Sequence, residues 1–223
     1  MLAAPDGLQT AWLHLFAAGN PPGPRAGWDA LWPHAAARLA ADGLPSVWAM
    51  TTLDWLIDLL KCSGFDECGR IVAYGLRLPY PVAARGRFQA ATPLRETDLP
   101  SVERLDRSAF APPWQMDFDA LCETFRRSIV AAVVRRGADV AGYLTASPTA
   151  RGVHLTRLAV HPDEQNRGLG RELLTYLVDQ CRRGGIPQIT VNTQIENHRS
   201  QRLYRSLGFC RTGDAYPVFR SDL

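Results

Sequence analysis

A glycine-rich turn between an apolar strand and an amphipathic helix is the feature that most restricts the fold of this chain. The turn is Gln165-Asn166-Arg167-Gly168-Leu169-Gly170. Before it, residues 153–160 mix β-branched and alternating apolar residues, which predicts a strand. His161-Pro162 would end that strand, because proline cannot donate to a sheet. Apolar residues then recur at helical spacing up to Gly184-Gly185, where the helix is predicted to end. They are Leu173, Leu174, Leu177, Val178 and Cys181.

This order of strand, glycine turn and helix can bind a phosphate group. Glycine lets the backbone approach an anion, and the first N–H groups of a helix have no partner inside it. They also lie at the positive end of the helix dipole. Arg167 and Arg171 would add positive charge. The pattern is neither Gly-x-Gly-x-x-Gly nor a P-loop with Lys-Ser/Thr. On its own it is weak evidence, since tight strand-to-helix turns use glycine for structural reasons.

A second motif follows, after another predicted strand at residues 189–194. Asn197 is expected to cap a helix. This helix carries Leu203 and Tyr204 and ends at Gly208-Phe209. The glycine turn followed by this second motif, with one helix and one strand between them, is a far more specific pattern than either motif alone.

In these two motifs the sequence resembles the GNAT superfamily of acyl-CoA-dependent N-acetyltransferases. The turn matches the family pattern Gln/Arg-x-x-Gly-x-Gly/Ala, and Asn197 with residues 203–209 matches Asn…Leu-Tyr-x-x-x-Gly-Phe. The resemblance covers residues 88–223 and implies an α/β fold with a mixed sheet. It extends to the members that acetylate the N-terminal alanine of a ribosomal protein.

The resemblance also implies which residues contact acetyl-CoA. In the family, backbone N–H groups of the coenzyme strand bind pantetheine and polarise the thioester carbonyl, while the glycine turn holds the pyrophosphate. The matching residues here are Leu158, Ala159, Val160, Gln165, Arg167, Gly168, Leu169, Gly170, Arg171 and Asn197. Acetyl-CoA is therefore the expected co-substrate, and no metal is expected.

Tyr204 is the predicted general acid, because a phenol is protonated at neutral pH and can give its proton to the departing thiolate. The alternative is a core aromatic residue on an amphipathic helix. Relatives that acetylate protein N-termini carry a glutamate base at the position of Asn192. The Asn192 amide cannot take a proton and would instead shape the pocket. Glu196, Glu103 and His161 are other candidate bases, and ordered water is the alternative to all of them.

The acceptor side is less well defined by the sequence. Phe110-Ala111-Pro112-Pro113-Trp114 lies where family members form one wall of the acceptor site, so Phe110 and Trp114 are the predicted substrate contacts. The alternative is a loop stiffened by proline whose aromatic rings lie in the core. Residues 211–220 would form the other wall, with Tyr216 and Phe219 available.

The first part of the chain is similar to its last part. Shifts of 142 and then 144 positions align identical residues and the same order of predicted elements. Ala26 and Trp28 then stand in place of Gly168 and Gly170, and an indole would block a pyrophosphate. We therefore expect a degenerate GNAT-like half-domain at residues 1–85 that has a structural role. The alternative is a chance alignment of two similar patterns.

The catalytic domain is expected at residues 86–223, after a linker that contains Pro79, Pro81 and residues 83–87. Asp98 is the predicted cap of its first helix. The remaining predicted strands are near residues 12–17, 47–51, 70–78, 88–94, 129–135 and 140–146. The remaining predicted helices are near residues 28–41, 53–61, 99–110 and 118–128.

Composition limits the partners. A net charge of +3 gives no support to nucleic-acid binding, and no apolar run approaches the ~20 residues of a membrane span. Five cysteines without metal-ligand spacing predict reduced thiols and a cytoplasmic location. The expected partner is a primary amine of a small molecule or peptide, and the chain is expected to be a monomer or homodimer. The rival hypothesis is an acyl-CoA-binding regulatory or scaffold protein whose catalysis has decayed.

Overall fold

The structure is a computed structural model that describes residues 1–5, 10–17, 19, 23–78 and 91–223. Within these residues the strands are β1 (Leu2–Pro5), β2 (Ala11–Leu15), β3 (Ser46–Met50), β4 (Asp66–Arg77), β5 (Ala91–Pro93), β6 (Val130–Arg136), β7 (Asp139–Thr149), β8 (Gly152–Val160), β9 (Gln188–Gln194) and β10 (Cys210–Asp222). The helices are α1 (Pro24–Ala41), α2 (Asp54–Cys62), α3 (Leu99–Ala109), α4 (Phe118–Arg127), α5 (Leu169–Arg183) and α6 (His198–Ser206). The chain forms two compact units, the first of Met1–Ile71 with Ala215–Leu223 and the second of Val72–Asp214.

The second unit is built on a mixed sheet with helices on both faces. Its strand order is β10-β4-β9-β8-β7-β6-β5. Strands β5 to β8 are antiparallel neighbours, whereas β8 and β9 run parallel. Helices α3 and α4 pack on the face that carries Tyr143 and Ala159. Helix α5 packs on the other face, where Leu173 lies against Gly142. The predicted α/β fold with a mixed sheet is confirmed.

A β-bulge in β8 decides which face each of its side chains occupies. Ala146 of β7 is opposite Leu155, but the next residue, Thr145, is opposite Arg157. Thr156 is therefore the extra residue of the bulge. Because neighbouring residues of β7 face opposite sides of the sheet, Leu155 and Arg157 do so as well. Arg157 consequently lies on the α3 face, together with Tyr143.

The first unit has the strand order β1-β2-β3-β10-β4 and a core to which Trp28, Phe65 and Phe219 contribute. Helix α1 begins at Pro24, earlier than predicted, because proline is favoured in the first turn of a helix. Trp28 is therefore inside the helix, 1% exposed, and its indole N–H donates to Ser63 Oγ at 2.7 Å. The side chain fills the core of this unit.

Other differences from the predicted elements are local. Strand β1 was not predicted, and the predicted strand at 88–94 is described only over Ala91–Pro93. The predicted linker and the boundary at residues 85 and 86 lie outside the described residues, so they stay predictions. Asp98 does not cap α3: its carboxylate accepts from the Arg95 backbone N–H (2.9 Å) and from Arg135 (2.6 Å). The reason is a 3₁₀ turn at Glu96–Asp98, which gives Asp98 helical dihedral angles.

Candidate active site

A cavity of about 390 Å³ lies in the second unit, between the end of β8, the glycine turn and the starts of α5 and α6. Its lining residues are Ala109, Phe110, Leu158, Ala159, Val160, Glu164, Gln165, Asn166, Gly168, Leu169, Gly170, Arg171, Asn197, Arg199, Ser200 and Leu203. Nine of the ten predicted coenzyme residues and the predicted substrate residue Phe110 are among them. Residues 109–203 thus bring both family motifs to one space.

The glycine turn has the backbone geometry of an anion site. Asn166 and Gly168 have positive φ angles, 64° and 84°, which asparagine and glycine adopt most readily. The first intrahelical bond of α5 is donated by Glu172 to the Gly168 carbonyl. The N–H groups of Leu169, Gly170 and Arg171 therefore have no acceptor within the helix. These groups, at the positive end of the dipole, are suited to a phosphate.

The edge of β8 supplies a second set of backbone groups. The His161 N–H donates to Ala141 of β7 at 2.9 Å, whereas the Val160 carbonyl accepts from Gln165 Nε2 at 3.1 Å. Strand residues alternate in the edge to which their polar groups point. The N–H groups of Leu158 and Val160 therefore point away from β7. Within the described residues, the register with β9 ends at Leu155, so these donors face the cavity.

Two arginines and one glutamate give the cavity lining a net charge of +1. Arg171 donates to Ser206 Oγ at 2.9 Å, and Arg199 donates to Gln165 Oε1. Arg167, which was predicted to contact the coenzyme, instead pairs with Glu164 at 3.0 Å and does not line the cavity. Arg199, which is exposed, lines the cavity instead. Arg199 was not predicted, because the family pattern leaves that position unspecified.

Asn197 both lines the cavity and caps α6, since its Oδ1 accepts the Ser200 N–H at 3.1 Å. The cap was predicted and is confirmed. Capping fixes the first turn of α6, which presents Ser200 to the cavity, and Leu203 lines the cavity from the next turn. Leu203 was named from the sequence only as part of the second motif, and Ser200 was not singled out.

Tyr204 is 4% exposed and does not itself line the cavity. Its ring packs against Tyr74 and Phe209, with centroids 6.0 and 5.9 Å away. Burial raises the pKa of Tyr204 to about 12, and the nearby Ser200 side chain opposes that rise. The phenol is therefore protonated at neutral pH, and its neighbour Ser200 lines the cavity. Its role as general acid stays a prediction.

The candidate bases lie in different places. Asn192 is exposed on β9, on the same face as Thr190, and does not line the cavity. Glu103 pairs with Arg107 at 2.7 Å, Glu196 is exposed in a turn, and His161 Nδ1 accepts the Asp163 N–H at 3.4 Å. None of these side chains lines the cavity. The geometry leaves the base unassigned.

The predicted acceptor residues are divided between the two units. Phe110 lines the cavity, and Trp114 lies half-buried in the same loop of the second unit. Tyr216 is in the first unit and 40% exposed. Phe219 is fully buried in the core of the first unit, so the interpretation that it is available to a substrate is wrong. Phe219 is inaccessible because its ring belongs to the same core cluster as Trp28 of α1 and Leu60 of α2.

Comparison with known proteins gives a consistent result. The profile of the Acetyltransferase (GNAT) family matches residues 99–209. The chain is 30% identical over 116 residues to the [ribosomal protein bS18]-alanine N-acetyltransferase of Escherichia coli K12, a match that covers 52% of this chain and 77% of that protein. It is 43% identical over 53 residues to the L-amino acid N-acyltransferase MnaT of the same organism, covering 24% of this chain and 31% of that protein.

Several solved structures are similar over nearly the whole chain. Among them is a tandem GNAT protein from the clavulanic acid biosynthesis pathway, with a TM-score of 0.65 and 18% identity, covering 98% of this chain and 76% of that one. At this identity the similarity concerns the fold. Fold, motifs and relatives together define an acyl-CoA-dependent N-acetyltransferase. The chain belongs to the GNAT acetyltransferase family.

No helix among the described residues is long and apolar enough to cross a membrane. The described part of the chain also contains no group of three or more histidine, cysteine or acidic residues placed to hold a metal ion.

Proposed function

We propose that this enzyme transfers the acetyl group of acetyl-CoA to a primary amine of a small molecule or peptide, by direct attack while both substrates are bound. The observation that carries the proposal is a single cavity lined by the β8 edge, the glycine turn and Ser200. The named relatives support the acceptor class, since one acts on the alanine of a ribosomal protein and another on L-amino acids.

The residues present suit the pyrophosphate of the coenzyme. The N–H groups of Leu169, Gly170 and Arg171 would donate to it, with Gly168 in the left-handed conformation that the turn requires. A Cβ on Gly170 would meet Leu203 Cδ2 at 3.2 Å, so any other residue would narrow this part of the cavity. The Gln165 and Arg199 side chains are hydrogen-bonded to each other in the cavity lining, and Asn197 contributes a side-chain amide to that lining. The bound coenzyme supplies an activated acetyl thioester.

The β8 donors and Tyr204 account for the two ends of the reaction. The N–H of Leu158 would polarise the thioester carbonyl, as a preset donor at the place where negative charge develops. Tyr204 would supply a proton to the departing sulfur through Ser200, because the Ser200 side chain is close enough to lower the pKa of the phenol and also lines the cavity. Holding both substrates in one cleft supplies much of the remaining rate. None of the four candidate bases lines the cavity, so water is proposed to carry the amine proton away.

Residues 1–85 are proposed to be a degenerate half-domain with a structural role. Their elements β2, α1, β3, α2 and β4 follow the same order as β8, α5, β9, α6 and β10. Trp28, at the position aligned with Gly170, is buried and stacks on Trp32 at 5.4 Å between ring centroids. One acetyl-CoA per chain is the expected stoichiometry. We also propose a cytoplasmic location, from the cysteine content, and a monomeric or dimeric chain.

Calorimetric titration with acetyl-CoA tests the site. We expect one site on the wild type and none on Gly170→Trp, because an indole would fill the cavity. Gly69→Trp is the matched control, since a Cβ at Gly69 meets no atom within 4 Å. A folded wild type that does not bind acetyl-CoA would refute the coenzyme assignment, and two sites per chain would refute the half-domain.

The rival function, an acyl-CoA-binding protein without activity, is favoured by one observation, the absence of a carboxylate at Asn192. It predicts binding without turnover for every amine tested. Tyr204→Phe separates the two hypotheses: an enzyme should keep its coenzyme affinity and lose about 10²-fold or more in kcat.

A further inference from the structure

A buried ion pair joins α3 to β8 beneath the loop that carries Phe110. Asp106 is 0% exposed and the Arg157 side chain is 11% exposed. Arg157 Nε donates to Asp106 Oδ2 at 2.7 Å, and Nη2 donates to Oδ1 at 2.6 Å. The Tyr143 hydroxyl also donates to Asp106 Oδ2, at 2.5 Å. Burial, and next the charge of Asp106, raise the pKa of Tyr143 well above its usual range, so Tyr143 remains a donor.

The same pair holds the loop between α3 and α4. Arg157 Nη2 also donates to the Trp114 carbonyl at 2.5 Å, and the Met116 N–H donates to Asp106 Oδ1 at 3.1 Å. The guanidinium carbon lies 3.7 Å from the centre of the Phe110 ring. Phe110, Trp114 and Met116, at the beginning, middle and end of this loop, therefore each contact Arg157 or Asp106.

The β8 bulge is what makes these contacts possible. In a regular strand, with Thr156 paired rather than bulged, Arg157 would lie on the same face as Leu155 and would point away from Asp106. With the bulge, Arg157 reaches the acceptor loop, while the next residue, Leu158, lines the coenzyme cavity. One peptide bond thus separates the anchor of the acceptor loop from the predicted donor to the thioester.

We infer that Arg157 and Asp106 are positioning residues that hold residues 110–116, and with them Phe110, in register with the coenzyme strand. Only the effect on kinetics that we expect from this inference rests on the proposed acetyl transfer. Replacing a buried ion pair by apolar residues is often neutral for stability. The main contribution of this ion pair is therefore to fix the position of residues 110–116.

Arg157→Met tests the inference, with Arg135→Met as the matched control. Arg135 pairs with Asp98 at 2.6 Å and attaches the other end of α3 to β6, without contact to the acceptor loop. Amide hydrogen exchange of peptides covering residues 110–116 is the first measurement. We expect exchange in Arg157→Met to be at least 10-fold faster than in the wild type, and exchange in this loop of Arg135→Met to be unchanged.

Kinetics provide the second measurement. For an amine that the wild type acetylates, we expect kcat/KM to fall about 10-fold or more in Arg157→Met, while the Kd of acetyl-CoA stays within twofold. Arg157→Lys keeps the charge but not the planar fork, so it should restore little of this loss. Arg135→Met should keep wild-type kcat/KM.

The double variant Asp106→Leu/Arg157→Met covers the case in which the single variant fails to fold, since it leaves no buried unpaired charge. It should fold and still show fast loop exchange. Wild-type exchange in the loop of either folded variant would overturn the inference. An equal loss of kcat/KM in Arg135→Met would also overturn it. Failure of the wild type to bind acetyl-CoA would refute the proposed function but leave the exchange result to be judged separately.

Discussion

Replacing Gly170 by alanine tests the coenzyme site with the smallest possible change. The added Cβ would lie 3.2 Å from Leu203 Cδ2 and 3.8 Å from Val160 Cγ2, and both residues line the cavity. The methyl group therefore enters the space next to the backbone N–H groups proposed to hold the pyrophosphate. Stability and coenzyme affinity are expected to respond in different ways.

The effect on stability should be small or favourable. Alanine is preferred over glycine inside a helix by up to about 1 kcal/mol. The close contact is with the flexible end of Leu203, which can shift by a few tenths of an ångström. For a chain of this length 1 kcal/mol corresponds to about 3 °C in Tm. We expect the Tm of the variant to equal that of the wild type or to rise by no more than this.

The effect on affinity should be large. A hydrogen bond to a charged group contributes about 1.5–3 kcal/mol. Because 1.4 kcal/mol is tenfold in Kd, loss of one such bond raises the Kd of acetyl-CoA about 10- to 100-fold. Calorimetry measures Kd and thermal unfolding measures Tm, with Gly69→Ala as the control outside the cavity. A Kd within twofold of the wild type would refute the assignment of this turn to the pyrophosphate.

Three further predictions concern other parts of the second unit. Ser200→Ala should lower kcat about as much as Tyr204→Phe, and the double variant should lose no more than either one, because both act in one proton transfer; additive losses in steady-state kinetics would exclude a relay. Burial lowers the pKa of His154, so the folded state binds fewer protons than the unfolded state and stability should fall as the pH drops below about 6.5. His154→Gln should flatten this part of a stability-against-pH curve from urea unfolding, and an unchanged curve would contradict the assignment. Gly152→Ala would place a Cβ 2.1 Å from the Gln188 carbonyl oxygen, so the variant should lose about 3 kcal/mol of stability and about 10 °C in Tm. A Tm within 2 °C of the wild type would show that β8 and β9 separate easily at this point.

The parts of the site that the sequence predicts are those with a local cause. The glycine turn is recognisable because residues next to one another determine its backbone angles and the start of α5. The same is true of the Asn197 cap, where donor and acceptor are three residues apart. Such features survive as patterns in a single sequence, and this explains why nine of the ten predicted coenzyme residues line one cavity.

The parts that the sequence does not predict depend on contacts between distant residues. Tyr204 was correctly expected on α6, but only the structure shows that it packs against Tyr74 and does not itself line the cavity. Arg167 and Arg171 look equivalent in the sequence, but Arg167 pairs locally with Glu164, three residues before it, whereas Arg171 lines the cavity and donates to Ser206, 35 residues away. The positions of Tyr204 and Arg171 do not follow from spacing, since each depends on which side chain a neighbouring element presents.

The β8 bulge shows most clearly why sequence alternation is not enough. Read as a regular strand, residues 153–160 would place Leu155 and Arg157 on one face, with the charge among apolar residues. The register with β7 instead separates them by inserting Thr156, which sends Leu155 to one core and Arg157 to Asp106. A charge that looks misplaced in the strand pattern is thus the consequence of a bulge that the pattern cannot show. The buried partner of this charge is Asp106, near the end of α3. This partner identifies residues 110–116 as the segment whose position depends on the bulge.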